Sequence, residues 1–211
     1  MAPARSSPLG LTVLALLQYK PLHPYGIQRL IRQWGKDQVV NVSQRASLYR
    51  VIERLQDAGL IRVLETGRDH AYPERTVYEI TEAGRATART WLMEMLSQPD
   101  NGFPEFPAAL SHLLMLSRED MLDALDRRVS ALAGALDRYD SDLAAHSSRG
   151  LPRIAALETE YLRAVTAAEA QWVRSVADDL RSGRITWSEE ALTGLAEALD
   201  GGGETPGRSG E

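Results

Sequence analysis

Apolar positions recur at helical spacing through the first sixty residues, alternate briefly, then return to helical spacing. Residues 8–19 are mostly apolar; Leu9, Val13, Leu16 and Leu17 predict a buried helix that Pro21 ends. A second helix is predicted from Pro24, because proline at the first helical position loses no hydrogen bond. Its inner side carries Ile27, Leu30, Ile31 and Trp34, and Gly35 closes it. The connection from Lys36 to Val42 is long for a helical turn, and Val39, Val40 and Val42 suit a short strand there. Ser43 is the expected N-cap of a third helix. Leu48, Ile52 and Leu55 form its apolar stripe, and Gly59 stops it. Two β-prone runs follow, Ile61–Glu65 and Thr76–Ile80, joined by a polar loop over 66–75. Thr81 should cap a helix running through Trp91 to about Leu96, with Gly84 in its first turn, where glycine costs less than in mid-helix. Helix–turn–helix, then strand, basic loop and strand, is the pattern of a winged helix.

Residues 99–107, PDNGFPEFP, cannot continue a helix and mark the expected boundary between domains. The expected division is 1–98, a linker over 99–107, a helical domain over 108–199, and a disordered glycine-rich tail over 200–211. A short helix from Ala108 to Leu116 precedes a long one capped by Ser117. Leu122, Leu125, Val129, Leu132, Leu136, Tyr139 and Leu143 alternate by three and four, a heptad seam. Gly150 and Pro152 break the chain, and a second long helix carries Ile154, Leu157, Tyr161, Val165, Ala168, Trp172, Val176 and Leu180 on one face until Gly183. A short, weak helix is expected near Ser188–Leu199. Such helices suit an intramolecular hairpin, a coiled coil between chains, or a membrane surface. The last needs a basic polar face, and these faces are acidic. Two helices alone make a thin core, so packing between chains is favoured, giving a mainly α fold with a small two-stranded β wing and a long-helix dimerisation domain. The expected dimer contacts are Leu122, Leu125, Val129, Leu132, Leu136, Tyr139, Leu157, Tyr161, Val165 and Trp172.

Charge sharpens this division. Residues 1–90 hold 13 Lys/Arg against 8 Asp/Glu, and residues 91–211 hold 11 against 21, so +5 and −10 give the net −5. A basic front and an acidic back imply that only the front meets a polyanion. The third helix presents Gln44, Arg45, Ser47, Arg50 and Arg54 opposite its apolar stripe. Arg and Gln at those positions suit base edges in a major groove. A solvated amphipathic helix is the plain alternative, and the strand–loop–strand that follows favours the groove. The chain has no cysteine, which removes disulfides and thiolate chemistry and fits a reducing compartment. No run is long enough to span a membrane. The N-terminal apolar run lacks a small-residue cleavage site and reads as cytoplasmic structure rather than a signal peptide. His23, His70, His112 and His146 show no ligand spacing, and no catalytic or phosphate-loop motif is present, so neither enzyme, cofactor nor metal is expected.

The runs LHPYGIQRLI (22–31), SLYRVIERLQDAGLI (47–61) and PERTVYEITEAGR (73–85), with the two long C-terminal helices, resemble the PadR family of bacterial transcriptional regulators over roughly residues 8–182. The resemblance implies a winged-helix DNA-binding domain, a helical dimerisation domain, and repression relieved by a small molecule. This chain has Arg50 where the family often has proline, and Pro24 where many members have glycine. Arg50 adds a cation near the DNA, so operator preference is not carried over from other members.

The expected DNA contacts are Gln44, Arg45, Ser47, Arg50 and Arg54, with Arg68, His70 and Arg75 on the wing. Tyr49 either donates to phosphate or packs against the first helices. Trp91 and Met95 either bind an aromatic or drug-like effector, as the family implies, or belong to the core. The expectation is a homodimeric, cytoplasmic, nucleoid-associated regulator of an inverted-repeat operator. The rival is a scaffold module that kept the winged helix and lost DNA binding, which an acidic third-helix face would have favoured.

Overall fold

The computed structural model describes residues 6–36, 39–41, 45–67, 75–99, 102 and 104–187, without the side chains of Arg45, Thr66 and Arg75. The chain divides into two compact units, Met1–Gly102 and Phe103–Glu211.

In the first unit, α1 (Pro8–Tyr19) starts where Ser7 Oγ accepts from Gly10 N at 3.1 Å. Helix α2 (Pro24–Gln33) is capped by a ring nitrogen: His23 Nδ1 accepts from Gly26 N at 3.0 Å. Helix α3 spans Arg45–Asp57 and ends at Gly59, whose φ of +70° only glycine adopts without strain. Strands β1 (Ile61–Gly67) and β2 (Arg75–Ile80) pair antiparallel, with Ile61 opposite Ile80 and a bulge at Leu64. Both strands run further toward the wing tip than expected. The segment between α1 and α2 joins them, since Leu22 and Tyr78 exchange both backbone hydrogen bonds at 2.9 and 3.0 Å. Helix α4 (Glu82–Ser97) follows, capped by Thr81 Oγ1, which accepts from Gly84 N at 3.0 Å.

One core unites these elements: Val13, Leu14 and Leu17 of α1, Ile27 and Ile31 of α2, Leu48, Ile52 and Leu55 of α3, Ile61, Ile80 and Trp91. Each such side chain contributes about 1.5–3 kcal/mol by leaving water. Three expectations change. Trp34 is half exposed, because α2 ends at Gln33 and Trp34 leaves the helical path; its ring meets Tyr19 edge-on at 6.1 Å. Val39 and Val40 form no strand: both amides donate to Lys36 O in a turn, and Val40 joins the core. Gly84 is more than a tolerated first-turn glycine. A Cβ there would lie 2.0 Å from Leu60 O, so the α3–β1 junction touches the backbone of α4.

The second unit holds α5 (Glu105–Leu110), a 3-10 turn at Leu113–Met115, α6 (Arg118–Ser148) and α7 (Leu157–Arg181). Helix α5 begins inside the segment expected as linker, because Pro107 falls in its first turn, where no hydrogen bond is lost. Ser117 Oγ caps α6, accepting from Asp120 N at 3.1 Å. Helices α6 and α7 form an antiparallel hairpin within the chain. Arg128 Nε donates to Glu169 at 2.6 Å, and Arg163 pairs with Asp140, which holds the Asp140 carboxyl below its usual range. At the open end the Arg118 guanidinium donates to Leu180 O and, at 3.1 Å, to Arg181 O, closing the C-terminus of α7.

The hairpin core is Met121, Leu125, Val173, Ala177 and Leu180, with Phe106, Leu122, Val129, Leu132 and Val176 packed against it. The expected thin layer therefore thickens from its own chain. Phe106 of α5 lies 3.5 Å under the Arg128 guanidinium and edge-on to Trp172 at 6.2 Å. Leu125, expected at a dimer contact, is buried inside the protomer, and Val129 and Leu132 pack there too.

Helix α7 has two apolar stripes. Ala170, Val173, Ala177 and Leu180 face α6, whereas Leu157, Tyr161, Val165 and Trp172 remain exposed. The expected weak helix over 188–199 and the tail over 200–211 lie outside the described residues.

Candidate nucleic-acid interface

The core fixes α3 by Leu48, Val51, Ile52 and Leu55, which leaves Ala46, Tyr49 and Arg50 turned outward. Among the described residues Arg50 is held only by its own helix: Nε donates to Ala46 O at 3.3 Å and a terminal nitrogen reaches Ser47 Oγ at 3.5 Å. Such long, local bonds are cheap to exchange for a better acceptor. No acid occurs between Arg45 and Ile52. Tyr49 is half exposed and shares a small cleft with Pro24, Tyr25, Gln28 and Leu48. Burial, then the charges of Glu53 and Tyr49, push the Tyr78 hydroxyl above its ordinary pKa.

Arg54 has a structural tie. Its guanidinium donates at 3.2 Å to Ser7 Oγ, the hydroxyl that caps α1, so it joins two helices rather than standing free toward a phosphate. Nothing local in the sequence signals this bond across 47 positions. Gln44, Arg68 and His70, like the Ser43 cap and Val42, lie outside the described residues; Arg45 opens α3 and Arg75 opens β2. The structure thus brings Ser47, Tyr49 and Arg50 together on one exposed face.

Trp91 belongs to the core at 5 % exposure, against Gly10, where a Cβ would stand 3.2 Å from the indole. Met95 lies a turn further along α4 and is partly exposed. Beside them is an open groove of about 310 Å³ between α1 and α4, with Leu11, Ala15, Ala88 and Leu92 among its walls and Arg85 and Arg89 beside them. The expected effector pair therefore splits: the indole is inside, and the accessible concavity is the next face of the same helix.

Residues 13–90 match the model of the transcriptional regulator PadR-like family. They form a PadR-like domain. Solved structures agree on the fold. Bacillus subtilis PadR in complex with operator DNA superposes with a TM-score of 0.63 at 17% identity, over 82% of this chain and 99% of that one. The same protein in complex with p-coumaric acid gives 0.61 at 16% identity, over 84% and 99%. The Vibrio cholerae virulence activator AphA gives 0.62 at 23% identity, over 82% and 98%. Among curated proteins none matches the chain. No described helix is long and apolar enough to cross a membrane. The PadR-like domain contains the whole of α2, α3, both strands and most of α4, so the exposed α3 face lies within it.

Proposed function

We propose that this chain is a homodimeric, sequence-specific regulator of transcription that represses from an inverted-repeat operator and is released by a small aromatic molecule. The observation that carries the reading is the outward face of the first two turns of α3 on a PadR-like domain, where Tyr49 and Arg50 are exposed and no acid occurs from Arg45 to Ile52. Arginine there reads guanine bidentately, and the wing cations Arg68 and Arg75, with His70, approach phosphate. A two-fold dimer places two such helices in successive grooves, so half-sites lie about 10 bp or a small multiple apart. Repression and cytoplasmic, nucleoid-associated residence follow the same reading.

The test is protection of DNA from around its own gene, followed by Arg45→Ala and Arg50→Ala. Each substitution is expected to weaken operator binding by about 1–3 kcal/mol in a gel shift. Unchanged affinity in both variants removes the α3 assignment, and no protection even at low salt supports a scaffold role instead. Higher expression of the protected gene on deletion identifies repression.

For the effector, the α1–α4 groove is the accessible candidate, with an apolar floor for a flat ring and Arg85 and Arg89 for an anionic group. Planar aromatic acids are expected to release bound DNA from the parent chain and from Trp91→Phe, but not from Leu92→Glu. Equal release from Leu92→Glu moves the ligand elsewhere.

A further inference from the structure

Three contacts meet at the start of α1. Ser7 Oγ accepts from Gly10 N at 3.1 Å, which caps the helix, and from the Arg54 guanidinium of α3 at 3.2 Å. Gly10 itself lies against α4: a Cβ there would stand 3.2 Å from the Trp91 indole and 2.8 Å from Ser7 Oγ. The groove between α1 and α4 opens just beyond this point, along Leu11, Ala15 and Gln18 of α1. The groove and the Ser7–Arg54 tie therefore lie on opposite sides of one close contact between helices.

A helix held at one point and pushed at another tilts. At about 1.5 Å per residue, Ala15 lies about 7.5 Å beyond Gly10 and Ser7 about 4.5 Å before it. A ring that lifts α1 by about 1 Å at Ala15 thus moves Ser7 by roughly 0.6 Å in the opposite sense. The tie has less slack than that: it stands at 3.2 Å, and a hydrogen bond is lost by about 3.5 Å. What the tie holds is orientation. Leu48, Ile52 and Leu55 anchor α3 by apolar contact, which has no directionality. The tie is directional, and Arg54 stands one turn beyond Arg50 on the same helix, so it fixes how α3 is rolled and where Ser47 and Arg50 point.

We propose that Ser7 is a positioning residue for operator release, passing occupancy of the α1–α4 groove to α3 through Arg54. This rests on the DNA-binding and groove readings above and supplies the link between them. With the groove empty, the tie is closed and α3 is held in its reading orientation. With an aromatic ring in the groove, α1 tilts about Gly10, the tie opens, and the aim of Arg50 is no longer fixed. Every residue in this link lies in the first unit. A ligand shifts the equilibrium only by its differential affinity for the closed and open arrangements, and the operator opposes it by the same factor.

The experiment uses the full chain and the duplex it protects, with affinity followed by anisotropy, and a fixed side chain as the groove's occupant. Ala86→Phe sets a ring in the groove from α4, and Ala15→Phe sets one from α1; both alanines are exposed. Each wedge is expected to weaken operator binding about tenfold, within the usual range of coupling between sites. Arg54→Met opens the tie and leaves the Ser7 cap in place. In that background the same wedge is expected to cost less than about twofold, the scatter of such cycles. Ser7→Ala should behave as Arg54→Met does. Ser7→Asp, which still caps α1 and still accepts from Arg54, should restore the tenfold response. Thermal melting checks that each variant is folded, and the two wedges from opposite walls keep the test open if one fails to fold. A wedge that costs the same with and without Arg54 overturns the link and leaves the groove reading standing. Wedges that leave operator affinity unchanged overturn the link while the DNA reading stands. A Ser7→Asp chain that responds like Ser7→Ala also overturns it. A parent chain that protects no DNA overturns the link together with the DNA reading beneath it.

Discussion

A chain carrying Gly84→Ala is expected to lose about 3 kcal/mol of stability in its first unit, the upper part of the range for overpacking. The new Cβ would meet Leu60 O at 2.0 Å and the Ile80 side chain at 2.8 Å. Leu60 O has little freedom to withdraw, because it accepts from Thr81 N at 3.0 Å and from Thr81 Oγ1 at 3.1 Å. The same threonine donates to Gly59 O at 2.8 Å and caps α4, so a shift there disturbs a helix end, a strand start and a helix start together. Urea unfolding checks this in a Trp172→Phe/Trp187→Phe background, where fluorescence reports only Trp34 and Trp91 of the first unit. A midpoint within error of the parent's would show that the junction yields at no cost.

Tyr161→Glu/Val165→Glu is expected to convert the proposed dimer to a monomer and to lower operator affinity by roughly 10²–10⁴-fold, the usual worth of linking two binding modules. Both side chains are exposed in the protomer, on the stripe of α7 that faces away from α6. Carboxylates there leave the hairpin core of Val173, Ala177 and Leu180 intact but place charge in the proposed interface. Sedimentation gives the assembly state and a gel shift gives the affinity. A variant that stays a tight dimer moves the contact to another surface; a monomer with parental affinity detaches assembly from DNA binding.

Most of the first unit was legible in its sequence because local physics decided it. The cap at Thr81, glycine stops at Gly35 and Gly59, and apolar residues at helical spacing each act within a few residues. What escaped was non-local. Gly84 answers to Leu60, Arg54 to Ser7 and Gly10 to Trp91, pairings that no window of a few residues contains. In α7 the larger side chains drew the eye to Leu157, Tyr161, Val165 and Trp172, and the inner seam is built partly of alanine. Its spacing was nonetheless present: Ala170, Val173, Ala177 and Leu180 alternate by three, four and three, a heptad seam written in small residues that let the helices approach. The α3 face was legible as chemistry through Ser47, Tyr49 and Arg50, while the role of Arg54 depended on packing.

The Arg118 clasp also bears on the order in which the protein is made. Arg118 opens α6, but the carbonyls it holds belong to Leu180 and Arg181, at the far end of α7. During synthesis the hairpin therefore stays open at that end until α7 has left the ribosome. The first unit makes no such demand: all its core residues lie within Val13–Trp91, and domains fold from the N-terminus as they emerge. The first unit can thus be complete while α6 and α7 are still being translated. The exposed apolar stripe of α7 is displayed only after that unit has folded.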